Sequence, residues 1–302
     1  MSCALDALWG NDMLKRSLSA ALAAGRLSHS VLLCGEAGTG ANFAARCLAA
    51  DYLYPQGGAG AAQVLAGASP EVLTLAGEGA SGEIKIDAVR AVRREVYNTA
   101  LSAGGRAVLI RGAHKLNAAS ANALLKVIEE PPEGVLFVLT APSEAVVLPT
   151  IRSRCCAYSL APVSVSDCTR YLNEHFPGRK DVARLAGVFG GKIGSARRCL
   201  EDARQEACLN DAMALAKCAV RRNAYEAMVL LSGYEKDRFG TLRLLEFFGN
   251  VCSAALRNTP EIPLDARRAA DCLPHAFFTA RQITANVNAK LALTNLAIRL
   301  CA

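Results

Sequence analysis

Aromatic side chains make up only 6% of the 302 residues, with a single tryptophan. Ring stacking is therefore excluded as the dominant mode of any function. No apolar run approaches the ~18 residues needed to span a bilayer. The first residues, MSCALDALWG, lack a basic stretch followed by an apolar one, so no secretory leader is read there. Twelve cysteines are present, but none forms a C-x-x-C pair. Most fall in apolar helical or strand-like runs, as buried reduced thiols of a cytoplasmic protein do. The four histidines, His29, His114, His175 and His275, share no metal-ligand spacing with them. No block of five or six like charges occurs, which excludes a basic nucleic-acid-binding tail.

What is present is an apolar chain, 52% hydrophobic and 20% charged, with a formal net charge of +7. That length and composition predict two or three packed units. The charge is uneven. Residues 1–160 carry 14 basic and 13 acidic side chains, which leaves 20 and 14 of the 34 and 27 for the rest. Six of the seven excess charges thus lie beyond residue 160. Such an excess is compatible with phosphate contacts but is weak evidence for them.

Patterning separates the two halves. Ser30–Cys34, Glu71–Ala76, Arg106–Ile110, Val135–Ala141 and Cys156–Leu160 read as strands. Helices are predicted over Asn42–Leu53, Asp87–Leu101 and Asn117–Glu130. Near-continuous apolar strands alternating with helices imply a parallel sheet covered on both faces. From about Val163 the strand signal disappears. Ser164–Phe176 is expected to be a helix capped by Ser164 or Ser166. Helices then continue with breaks at Pro177-Gly178, Gly190-Gly191, Gly233, Pro260, Pro263 and Pro274. Pro55–Pro70 (PQGGAGAAQVLAGASP) reads as a flexible loop.

The sharpest local signal is Gly35-Glu36-Ala37-Gly38-Thr39-Gly40-Ala41-Asn42, between a strand and a helix. It follows the phosphate-loop pattern G-x-x-x-x-G-K-[ST] with both chemical residues replaced. Gly35, Gly38 and Gly40 permit the tight turn. Ala41 stands where an ammonium reaches the β- and γ-phosphates, and Asn42 where a hydroxyl holds Mg²⁺. The strand Ala107–Ile110 then ends in Arg111-Gly112, where a hydrolytic site carries Asp-Glu. Two independent losses predict a site without catalysis and without a bound cofactor. The alternative use of the glycines is strand-to-helix packing alone.

Ile84–Val96 (IKIDAVRAVRREV), Asn122–Pro132 (NALLKVIEEPP), Val135–Ala141 (VLFVLTA) and Leu148–Cys155 (LPTIRSRC) carry a resemblance to bacterial clamp-loader AAA+ subunits. Gly25–Ser30 (GRLSHS) and Asn286–Leu300 (NVNAKLALTNLAIRL) extend it along most of the chain. The resemblance implies an α/β AAA+ P-loop-type domain over 1–161, a small helical lid over 162–206 and an all-α collar over 207–302. It implies a non-hydrolysing stator within a cytoplasmic hetero-oligomer. The partners would be ATP-binding subunits of gamma/tau type and a clamp-opening subunit of delta type. Primer–template DNA would be held by the complex, and the sliding clamp reached indirectly.

Within that resemblance, Ser153-Arg154-Cys155 looks like an arginine-finger motif, with Arg154 directed in trans at a neighbour's ATP; pairing of Arg154 with a local carboxylate is the alternative. Thr140 matches the sensor-1 position and Arg197 the sensor-2 position, where Arg197 is expected to pair within the lid or at a domain junction. Arg90, Arg93 and Arg94 share one helix face and are candidates to face DNA, against a face paired to Glu95 or its surroundings. Asn117 or Ser120 could present N–H groups to phosphate. Many relatives carry a four-cysteine zinc module where Pro55–Pro70 stands; without cysteine or histidine there, no zinc is expected. Two other readings stay open: an ATP-hydrolysing motor subunit of the same superfamily, and a stand-alone nucleic-acid-binding protein driven by the basic second half.

Overall fold

A computed structural model describes residues 4–78, 82–97 and 105–302. The chain divides into two compact units, residues 1–163 and 164–302.

The first unit is built on five parallel strands: β1 (Ser30–Cys34), β2 (Val72–Ala76), β3 (Arg106–Arg111), β4 (Val135–Ala141) and β5 (Cys156–Ser159). They lie in the order β2-β3-β4-β1-β5. Strand alternation sends successive residues to opposite faces, and both faces are covered. Val31, Leu33, Ala107, Leu109, Leu136 and Val138 pack beneath α1 (Asp12–Ala23) and α2 (Ala41–Leu53). Leu32, Val108, Ile110, Phe137 and Leu139 meet α4 (Ile86–Val96) and α5 (Ala118–Glu129) on the other face. This double burial is why the strands read as unbroken apolar runs.

Two expectations for the first unit need correction. Pro55–Pro70 is not simply a loop, because Ala59–Ala66 forms helix α3. Its alanine-rich sequence has high helix propensity, Ala61 and Val64 are buried, and Gly67 ends it in the left-handed region at φ +75°. The helix expected over Asp87–Leu101 runs from Ile86 to Val96; residues 98–101, like Cys3, lie outside the described residues.

The second unit is all helical. Its elements are α7 (Val165–His175), α8 (Val182–Val188), α9 (Ile193–Glu201), α10 (Ala203–Arg221), α11 (Ala224–Ser232), α12 (Arg238–Leu256), α13 (Ala266–Thr284) and α14 (Ala289–Cys301), which follow the short first-unit helix α6 (Pro149–Arg152). Ser164 caps α7 by accepting from the Asp167 N–H at 3.0 Å. Asp202, Asn223, Asp237, Asp265 and Asn288 cap the starts of α10 to α14 in the same way. Each such cap contributes about 1 kcal/mol.

The predicted break at Pro274 does not occur, since α13 runs through it. Proline there leaves only the carbonyl of Ala270 without its helical donor. Burial of Ala269, Cys272, Ala276 and Ile283 on the face shared with α12 and α14 offsets that loss. Among the described residues no helix is long and apolar enough to cross a membrane. Cysteines 34, 47, 168, 199, 208, 218, 252, 272 and 301 are buried and free of disulfides; Cys156 alone among the described cysteines is exposed.

Candidate functional site

The loop from Gly35 to Gly40 joins the buried end of β1 to the start of α2. Gly38 and Gly40 have φ of +91° and +99°, a region closed to most L side chains. Gly35 is needed for space: a Cβ there would lie 2.5 Å from Thr39 Oγ1 and 3.1 Å from Leu160 Cβ. Thr39 folds back into the turn, its hydroxyl donating to the Glu36 carbonyl at 2.8 Å. The turn is therefore present and closed on itself.

The positions that would carry chemistry are tied to one another. The Gly112 N–H donates to Thr140 Oγ1 at 3.2 Å. The Thr140 hydroxyl donates in turn to Asn42 Oδ1 at 2.9 Å. This chain of bonds links the end of β3, the end of β4 and the first turn of α2. Thr140 and Asn42, placed by the sequence at the sensor-1 and Mg²⁺ positions, are thus each other's partners.

Arg111 ends β3 in register with Thr140 and shares with it the sheet face covered by α2. Its Nε is buried without a hydrogen-bond partner. A guanidinium, which stays protonated, thus stands at the strand end where the sequence pattern of a hydrolytic site expects a carboxylate. Close by in sequence, burial and then the Lys115 charge hold the His114 imidazole below its ordinary range, so it is neutral at pH 7.

The second cluster lies around Arg154. Helix α6 opens with Pro149 at its first turn and delivers Ser153 and Arg154. The Arg154 Nε and Nη2 sit against the Glu129 carboxylate at the end of α5. Its Nη1 donates to the Thr150 carbonyl at 2.9 Å and to Ser153 Oγ at 3.1 Å. The local carboxylate partner left open by the sequence is present, and it is Glu129. Sequence reasoning did not single out Glu129, whose only signal was its place in the run Glu129-Glu130-Pro131-Pro132. Burial, with Cys156 and Cys34 nearby, pushes the adjacent Cys155 thiol up to about 12, which keeps it a protonated packing group.

On α4, Arg90 and Arg94 are exposed, while Arg93 is half-buried beside the buried Val89 and Val96. Arg90 makes only a loose contact to Asp87, at 3.4 Å with both side chains exposed. Glu95 turns to Arg106 instead. Among the described residues Arg93 and Arg94 form no ion pair. The basic face is therefore not neutralised through Glu95. Asn117 caps α5 by accepting from the Ser120 N–H at 2.9 Å, and Ser120 is fully buried; both are engaged within the helix start. In the second unit Arg197 donates to Glu201 at 2.6 Å and to the Tyr171 hydroxyl at 3.2 Å. That pairing lies among α7 and α9, as expected for a residue held within its own helical cluster. Among the described residues, no three or more His, Cys, Asp or Glu side chains are grouped as a metal ion requires.

A five-stranded parallel sheet in this order, with a glycine turn between β1 and α2 and helices following, defines an AAA+-type α/β protein. Solved structures share the fold. A gamma subunit-related protein of DNA polymerase III from Thermotoga maritima superposes with a TM-score of 0.56 at 19% identity, covering 95% of this chain and 96% of that one. The Holliday junction branch migration motor RuvB from the same organism gives 0.52 at 16% identity, covering 95% and 86%.

Residues 10–164, just over half of the chain, match the family described as DNA polymerase III, delta subunit. The chain belongs to this family, as a member of the delta′ type among the clamp-loader AAA+ proteins. The delta′ subunit of Yersinia pestis is 36% identical over 129 residues, 41% of this chain and 38% of that protein. The delta′ subunit of Escherichia coli K12 is 32% identical over 188 residues, 59% and 56%. A gamma/tau subunit of Mycobacterium tuberculosis is 32% identical over 152 residues, 48% and 26%. The matched region thus spans little more than half the length of these relatives at most.

Proposed function

We propose that this chain is the non-hydrolysing subunit of a clamp loader, a rigid member that assembles with ATP-binding subunits of gamma/tau type and a clamp-opening subunit of delta type. Residues 162–206 serve as its lid and 207–302 as its collar. Arg154 reaches in trans toward ATP held by the neighbouring subunit. Arg90, Arg93 and Arg94 attract the backbone of primer–template DNA without reading its sequence.

The observation that carries the reading is the state of the chain's own nucleotide site. The loop retains its turn, yet Ala41 supplies no ammonium, Asn42 is bonded to Thr140, and Arg111 stands where Mg²⁺ needs a carboxylate. A fold of this class with such a site contributes surfaces and side chains to others. An ATP-hydrolysing motor role is disfavoured by the same residues.

The test is reconstitution. The chain is expected to co-purify with the other loader subunits in a stable complex that loads the clamp on primed DNA. Failure to join that complex overturns the proposal. Within the complex, Arg90, Arg93 and Arg94 replaced together by alanine should weaken DNA binding and flatten its salt dependence, by up to about one unit of log–log slope for each phosphate that is no longer neutralised. An unchanged slope removes these residues from the DNA-facing surface. A stand-alone nucleic-acid-binding protein would instead bind DNA tightly in isolation, with a steep salt dependence of its own.

A further inference from the structure

An arginine has five N–H donors. In Arg154, Nε and Nη2 meet Glu129 while the two Nη1 protons serve Thr150 and Ser153. One donor, on Nη2, is left free. A two-pronged grip on a phosphate, which gives arginine its geometric advantage, therefore requires release of a partner already held. Thr150 and Ser153 lie in the same turn as Arg154 and move with it. Glu129 does not: it sits 25 positions earlier at the end of α5, and among the described residues it is the one ionic partner of Arg154.

We infer that Glu129 is a latch on Arg154. Its carboxylate holds the guanidinium and neutralises its charge, and a neighbour's nucleotide phosphates displace it. The latch rests on the reading of Arg154 as a finger in trans. Its consequence is competitive: the acidic group and the phosphates share one cation, so ATP at the neighbouring site engages Arg154 only by outcompeting Glu129. In the absence of nucleotide the finger's charge stays satisfied within its own subunit. Both side chains are partly solvent-exposed, 35% for Arg154 and 42% for Glu129, so the pair is a modest restraint that can exchange partners.

The test uses the reconstituted loader with DNA, carrying Glu129→Gln, Arg154→Ala or both. Glutamine keeps the size and a hydrogen-bond acceptor but removes the charge. With Glu129→Gln the apparent KM for ATP should fall about two- to fivefold, the range expected for losing a partly exposed ion pair, while kcat stays near its starting value. The double variant should match Arg154→Ala alone. Thermal unfolding of the isolated variants should coincide with that of the parent chain. If Arg154→Ala leaves ATP turnover intact, the finger reading fails and the latch falls with it. If Arg154→Ala lowers turnover but Glu129→Gln leaves KM unchanged, the latch alone is overturned. A fall in kcat without a change in KM also overturns it, because it would make Glu129 an orienting group instead of a competitor.

Discussion

Replacing Arg154 with alanine should, in the proposed finger role, lower turnover at a neighbouring subunit's ATP site on the order of 10³-fold, the lower end of what arginine fingers contribute in other nucleotide hydrolases. The physical reason is charge placement. As the γ-phosphoryl group leaves, negative charge spreads over its oxygens, and a planar guanidinium supplied from outside meets two of them at once. Arg154 is suited to this by position: it follows the short α6 turn, is partly exposed, and is steadied by Thr150 and Ser153. Lysine at the same position keeps a charge but not the planar fork, so Arg154→Lys should recover only part of the loss. The measurement is DNA-stimulated phosphate release by the reconstituted loader. Total release falls by the share of that one site, because the remaining ATP sites keep their own machinery. Undiminished release from the Arg154→Ala complex contradicts the finger assignment.

The second large effect is on stability and lies at the start of β3. Arg106 is buried between Glu71, whose carboxylate is 3.9 Å away, and Glu95. Glu71 is 1% exposed, and neither of its carboxylate oxygens has a hydrogen-bond partner. The Arg106 charge is thus what offsets a fully buried carboxylate. Arg106→Met should destabilise the chain by about 3–5 kcal/mol, the usual consequence of stranding a buried charge. Replacing both residues with apolar ones of similar size should recover most of that loss, since burying an ion pair gains little over packing. Chemical denaturation of the single and double variants decides it. Equal destabilisation in both would show that Arg106 matters for its shape and not for its charge.

The sequence revealed the sheet well for a definite reason. β1, β3 and β4 are buried on both faces, so their central residues are apolar without alternation, and short runs such as VLFVLTA between turn signals fit such strands. A cap at Ser164 or Ser166 was also legible, because capping depends on residues two or three positions apart, and Ser164 supplies it. Local pattern failed where tertiary packing prevailed over a breaker or a bland composition. Pro274 sits inside α13 because its neighbours are buried on both sides of it, and Ala59–Ala66 is a helix although nothing but alanine propensity and a left-handed Gly67 marked it.

The candidate site was legible residue by residue and illegible as an arrangement. Ala41, Asn42 and Arg111 each carry the expectation that nucleotide chemistry is missing. Nothing in one sequence joins Asn42 to Thr140, 98 positions away, or Arg154 to Glu129. Such contacts depend on strand order and on how α5 ends, and both appear only once the sheet is assembled. The charge surplus points elsewhere: the residues proposed to meet phosphate, Arg90, Arg93, Arg94 and Arg154, all lie in the nearly neutral first half.

The stator role requires that this chain not use its own phosphate loop. Calorimetric titration of the isolated chain with Mg·ATP tests it, alongside the variant Ala41→Lys with Asn42→Thr. The predicted result is no saturable binding for either. Restoring the ammonium and the hydroxyl leaves Arg111 at the position where Mg²⁺ requires a carboxylate. Magnesium-dependent binding by the parent chain in the micromolar range would contradict it.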